Sequence, residues 1–139
     1  MNVKFLVDEN IGKPITLDLA KLLRWHRPQA EVIHLNDFME KSGVSDDKWI
    51  PKAAEENAII ITGDSAKKSN RNPLPRICRN NRVRHVLFSR AFCQRPQFEK
   101  ARAIIVVWPE LLLKVTNSPP GSRFKIWQGD HHPKLVSTK

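Results

Sequence analysis

Three short acidic stretches interrupt a strongly basic chain: Asp8-Glu9-Asn10, Ser45-Asp46-Asp47 and Thr62-Gly63-Asp64. The first and third directly follow apolar runs, Val3 to Val7 and Ala58 to Ile61, that read as buried strands. Carboxylates in that position emerge at the carboxyl ends of strands, where open α/β sheets build their sites. Acids converging on such a rim suit metal-assisted hydrolysis of phosphodiesters. Mg²⁺ or Mn²⁺ takes a few carboxylates while keeping several waters, supplies charge to the phosphate and makes water more acidic. Asp8, Asp46 and Asp64 are the candidate catalytic and metal-holding residues, and Asp47 is a substitute beside Asp46. The cluster requires a cation or a proton, because like charges crowd together.

Three neighbours are candidate supports. Asn10 could bond Asp8 or a metal-bound water, Thr62 could orient Asp64 through its hydroxyl, and Glu9 lies beside Asp8. Each residue also has a plainer reading. Asp8 and Asp64 suit capping of the turns that follow them, Ser-Asp-Asp is an ordinary helix start, and a Thr that ends a strand needs no catalytic reason.

A formal net charge of +10 over 139 residues favours a polyanionic partner, RNA or DNA, although an acidic protein would also fit. Lys67, Lys68 and Arg71 follow Asp64 closely and are candidates for holding an RNA backbone by charge. The chain is long enough for one domain. No long apolar stretch or signal-like N-terminus is present, so a soluble cytoplasmic protein with no membrane partner is expected. Cys78 and Cys93 have no metal-ligand spacing and read as reduced thiols. His26, His34, His85, His131 and His132 are dispersed, so no histidine is assigned as a base. Trp25, Trp49 and Trp108 read as core, with Trp127 kept as an RNA-stacking candidate.

The elements that must position these groups follow from periodicity. After the first strand, Gly12-Lys13-Pro14 opens a helix with Ile15, Leu19, Leu22 and Leu23 on one face, closed by Pro28. A strand is expected at Glu31 to Leu35, then a polar loop, then a helix from Ser45-Asp46-Asp47 to about Asn57 with Pro51 in its first turn. A central parallel strand spans Ala58 to Thr62. Beyond a basic loop from Ser65 to Pro75, a short helix is expected at Pro75 to Asn81 and a fourth strand at Arg84 to Phe88.

Arg95 to Thr116 reads as helix, kinked or interrupted by Pro109, with Ala101, Ile104, Ile105, Trp108, Leu111, Leu112 and Val115 spaced for burial. Ile104 to Trp108 has an alternative reading as a strand. Arg123 to Gln128 reads as a late edge strand. The domain is thus assigned to residues 1–128, with 129–139 a flexible tail. Alternating strands and helices imply a mostly parallel sheet with right-handed crossovers.

The segments Lys4 to Asn10, Ser45 to Pro51 and Ile60 to Asp64, taken in order and spacing, resemble the PIN-like nucleases, and especially the compact branch of VapC-type toxins from bacterial toxin–antitoxin pairs. Weaker echoes lie at Asn72-Pro73, Val107 to Pro109 and Arg123 to Trp127, so the resemblance covers nearly the whole chain. It implies a three-layer α/β/α fold, Mg²⁺ or Mn²⁺ held by Asp8, Asp46 and Asp64, endoribonuclease activity restrained by a cognate antitoxin, and pairing into a homodimer. It also favours Asp46 over Asp47, since the family's acid sits three residues before the Trp. One departure stands out: PIN sites often carry a fourth acid, yet no Asp or Glu occurs between Ser65 and Phe98.

Two other readings compete. A response-regulator receiver also has acids after its first strand, an Asp after the third and a hydroxyl after the fourth, here Ser89. The basic charge and the Asp46-to-Trp49 segment argue against it. A non-catalytic RNA- or partner-binding module on a PIN-like fold is the second.

Overall fold

Strands of Val, Ile and Phe alternate with amphipathic helices, and this pattern produces a six-stranded sheet in the order β2-β1-β3-β4-β5-β6. The computed structural model describes residues 3–63, 74–89, 95–128 and 133–138. The strands are β1 (Val3–Val7), β2 (Ala30–His34), β3 (Ile59–Thr62), β4 (His85–Phe88), β5 (Arg123–Gln128) and β6 (Pro133–Thr138). The helices are α1 (Lys13–Leu23), α2 (Leu35–Met39), α3 (Asp46–Glu55), α4 (Leu74–Asn80) and α5 (Gln97–Thr116), with a 3-10 turn at Glu9–Ile11. β1 to β5 pair in parallel, and β6 returns antiparallel on β5.

Both faces of the sheet are covered, which makes three layers. On one side Phe5, Val7, Ile59, Ile61, Val86 and Phe88 pack with Leu19 and Leu23 of α1 and the buried stripe of α5. The Phe5 and Trp108 rings meet there, with centroids 4.8 Å apart. On the other side Leu6, Ile60 and Leu87 pack against Trp49, Ile50 and Ala53 of α3 and Leu74 and Cys78 of α4. The central strands are therefore apolar from Phe5 to Val7, Ile59 to Ile61 and Val86 to Phe88, as burial on two faces demands.

Several local expectations need correction. Leu22 is 53% exposed and Ile105 also faces solvent; on α1 the inward position is taken by Thr16, whose hydroxyl donates to the Gly12 carbonyl. The second strand stops at His34, and Leu35 instead opens α2, whose first turn is capped by the His34 ring accepting from Asn36 N–H at 3.1 Å. Pro51 lies beyond the first turn of α3, and Pro109 lies within an uninterrupted α5, so neither residue ends its helix. The buried stripe on both sides of Pro109 outweighs the single lost backbone bond, and the strand alternative for Ile104 to Trp108 does not form.

β5 is not an edge strand. Residues placed in the flexible tail form β6, which pairs with β5 from Pro133 opposite Gln128 to Thr138 opposite Arg123. Its Leu135 joins the core, and Pro133 is tolerated as a first strand residue. Among the described residues, no helix is long and apolar enough to cross a membrane.

Candidate active site

Asp8 leaves β1 at the carboxyl edge of the sheet, and its backbone is pinned to the next strand by Asp8 N–H donating to Ile61 O at 2.9 Å. Its side chain caps the 3-10 turn: Oδ1 accepts from Glu9 N–H at 2.7 Å. The second oxygen, Oδ2, accepts from the Thr62 hydroxyl at 2.8 Å. Both oxygens take neutral donors, which fix the carboxylate in place. Thr62 is fully buried at the end of β3, one strand over.

Asp46 is the first residue of α3 and is half-buried. Its Oδ1 accepts from Trp49 Nε1 at 3.0 Å, a contact that the three-residue offset on a helix allows. Trp49 is itself buried in the core, so the indole sets the carboxylate's position from below. Asp47 is exposed, about a hundred degrees further round the helix. The spacing between acid and Trp thus has a physical content: only the residue three before Trp49 receives its N–H.

The two carboxylates act on one common neighbour. Cys78, wholly buried in α4, has its thiol pushed far up, first by burial and then by the negative charges of Asp46 and Asp8. The chain path puts both acids toward the carboxyl edge of the sheet, Asp8 after β1 and Asp46 at the start of the helix that leads into the parallel β3. The thiol stays protonated and takes no part in nucleophilic or metal chemistry.

Other expected residues fall elsewhere. Glu9 is half-buried in the 3-10 turn, where its charge reaches the His34 ring. Asp64, Lys67, Lys68, Arg71 and Cys93, and the side chain of Asn10, lie outside the described residues. The Thr62 hydroxyl, expected on Asp64, donates to Asp8. Trp25 is exposed and not core, and Trp127 is 41% exposed with Lys125 Nζ 5.8 Å from its ring centroid.

His34 was not expected at this rim. It ends β2 directly beside Val7 and is buried, and burial above all holds its proton affinity down. Its Nδ1 accepts a backbone N–H, so in the neutral ring Nε2 carries the hydrogen. No spacing to another ligand marked it in the sequence.

Oxygen donors from carboxylates match the preference of Mg²⁺ or Mn²⁺. Asp8 accepts from two neutral donors and Asp46 from one, which orients their carboxylate oxygens. Among the described residues, no group of three or more metal-ligating side chains forms, and Asp64, the third candidate, is not one of those residues.

A family model described as "PIN like domain" matches residues 3–89, the span that contains Asp8, Asp46 and Asp64. No curated protein and no solved structure matches the chain.

Proposed function

This chain belongs to the PIN-like domain family, and from that premise we propose that it is a metal-dependent endoribonuclease, the toxin of a toxin–antitoxin pair. The observation that carries the reading is the pair of hydrogen bonds from Thr62 to Asp8 and from Trp49 to Asp46, which fix in place two carboxylates from distant parts of the chain. PIN domains are generally nucleases. In this reading Asp8, Asp46 and Asp64 hold Mg²⁺ or Mn²⁺, which when bound supplies positive charge to the scissile phosphate and acidifies water.

The chain's own residues do the positioning. Thr62 and Glu9 N–H orient Asp8, and Trp49 orients Asp46, so the acids need little reorganisation as charge develops on the phosphate. Buried apolar side chains of α3 and α4 back the site and limit water from beneath. Lys67, Lys68 and Arg71 would hold the RNA backbone, and the net charge of +10 would draw RNA to the surface. An acidic antitoxin covering the basic surface around the site would restrain it, and pairing of two copies is part of the same proposal, as is a cytoplasmic setting.

The absence of any acid between Ser65 and Phe98 favours one second reading, a non-catalytic RNA- or partner-binding module. One experiment separates the two. Wild-type protein and Asp8→Asn are incubated with a mixed pool of structured and single-stranded RNA, in Mn²⁺, Mg²⁺ or chelator. Cleavage that needs both the metal and Asp8 supports the nuclease. RNA binding by both proteins without metal-dependent cleavage supports the module.

A further inference from the structure

The edge of the sheet opposite the carboxylates carries a second cluster. β4 and β5 begin there and β6 ends there, with His85 in register with Arg123, and Arg123 with Thr138. Residues paired across strands project from the same face of the pleat. Together with Arg79 of α4 and Ser122 they line a cavity of about 210 Å³. Gly121, with φ of +87°, makes the turn that brings Ser122 to its wall.

The chemistry of the cavity depends on His85, which is 1% exposed. Its Nδ1 lies 2.9 Å from the Val83 carbonyl. A carbonyl only accepts, so Nδ1 bears the ring's hydrogen and Nε2 bears the lone pair. Burial is the main reason the ring stays neutral, with its pKa pushed down to about 4. Nε2 is buried and has no hydrogen-bond partner. It is therefore an acceptor in need of a donor.

Two cations line the same cavity as His85. The charges of Arg123 and Arg79 both reach His85 and disfavour its protonation further. Arg123 Nε donates to Thr138 Oγ1 at 2.9 Å, which fixes the plane of its guanidinium. A metal ion would suit Nε2 but not the guanidiniums, whereas a sulfate would suit the guanidiniums and offer Nε2 no hydrogen. A tetrahedral oxyanion that still carries an O–H satisfies both demands.

We propose that this cavity binds hydrogen phosphate, as the free ion or as the terminal phosphate of a nucleotide. The unprotonated oxygens accept from Arg79 and Arg123, and the P–OH donates to His85 Nε2. This site is independent of the carboxylate rim, and its failure would leave the nuclease reading untouched.

The test is a titration of the ¹⁵N-labelled chain at about pH 6, where a phosphate monoester is still about half protonated and His85 remains neutral. Inorganic phosphate, sulfate and adenosine monophosphate are added separately, and the ring nitrogens of His85 are followed. The expected result is a saturable shift of Nε2 with phosphate and binding of sulfate at least about ten-fold weaker, with Arg79→Ala, an exposed position, weakening phosphate by about ten-fold or more. Adenosine monophosphate binding as tightly as phosphate or tighter identifies a nucleotide terminus as the ligand, and weaker binding identifies the free ion. No saturable shift with either phosphate, sulfate equal to phosphate, or an unaffected Arg79→Ala variant would overturn the proposal.

Discussion

Thr62 donates its hydroxyl to Asp8 Oδ2 across 2.8 Å, joining the ends of two neighbouring parallel strands through their side chains. The contact spans 54 residues of sequence and exists only because β3 lies beside β1. Thr62→Val keeps the shape of this buried position and removes the donor. A group that orients a ligand commonly matters by about 10- to 100-fold in metal affinity. The expected outcome is a shift of that order in the Mn²⁺ concentration giving half-maximal RNA cleavage, with a melting transition still cooperative. An unchanged metal requirement would sever Thr62 from the site.

Asp46 and Trp49 make a second separable pair. Asp46→Asn retains a carbonyl oxygen that can still accept from Trp49 Nε1, so its stability should fall by no more than about 1 kcal/mol. Cleavage should be lost, while RNA affinity is kept or raised because one negative charge is gone. Asp47→Asn, on the exposed face, should leave cleavage within about two-fold. Denaturation curves and cleavage assays on the three proteins check this, and equal loss in both variants would count against the assignment of Asp46.

Stability should depend on pH through His85. Its pKa in the folded chain is pushed down to about 4 by burial, below the 6.5 of an unperturbed histidine. The unfolded chain therefore binds more protons between these values. Stability is fully present above about pH 6.5 and is lost as pH falls toward 4, by up to about 3 kcal/mol from this residue. His34 is shifted the same way by burial and adds to the trend. Urea denaturation at a series of pH values measures the slope, and ring chemical shifts reporting His85 protonated at pH 6 in the folded chain would refute the cause.

Pro109 sits on the exposed side of α5 and leaves the Ile105 carbonyl without an intrahelical donor. Pro109→Ala restores that donor. The gain is partly offset, since proline also restrains the unfolded chain by about 0.4–1 kcal/mol. A net stabilisation of about 1–2 kcal/mol is expected by chemical denaturation, with cleavage unchanged because α5 packs on the layer away from Asp46.

What could be read from the sequence depended on how local its cause was. Ile59 to Thr62 announced a buried strand because every residue is apolar or β-branched, and Ser45-Asp46-Asp47 announced the start of α3 because these residues suit a helix N-terminus. Pro109 misled because its cost is local, whereas the burial of Val107, Trp108, Leu111 and Leu112 that overrides it is tertiary. β6 was missed for the opposite reason. Its short, polar run gains strand character only from pairing with β5 and from Leu135 reaching the core. At the site, Asp8 and Asp46 could be placed at a strand end and a helix start, but the donor to Asp8 could not be read, since register between β1 and β3 decides it. His34 and the cluster at His85 likewise arise from strand neighbours distant in sequence.

The antiparallel return of β6 has a practical side for anyone handling the protein. β1 starts and β6 finishes on the same side of the sheet, the side of His85 and Arg123. Any polypeptide joined before Val3 or after Thr138 therefore begins far from Asp8 and Asp46. A purification tag or tether at either end should spare the acidic rim, and a bulky one at the carboxyl end would crowd the basic cavity, so binding experiments there call for the tag at the amino end or none.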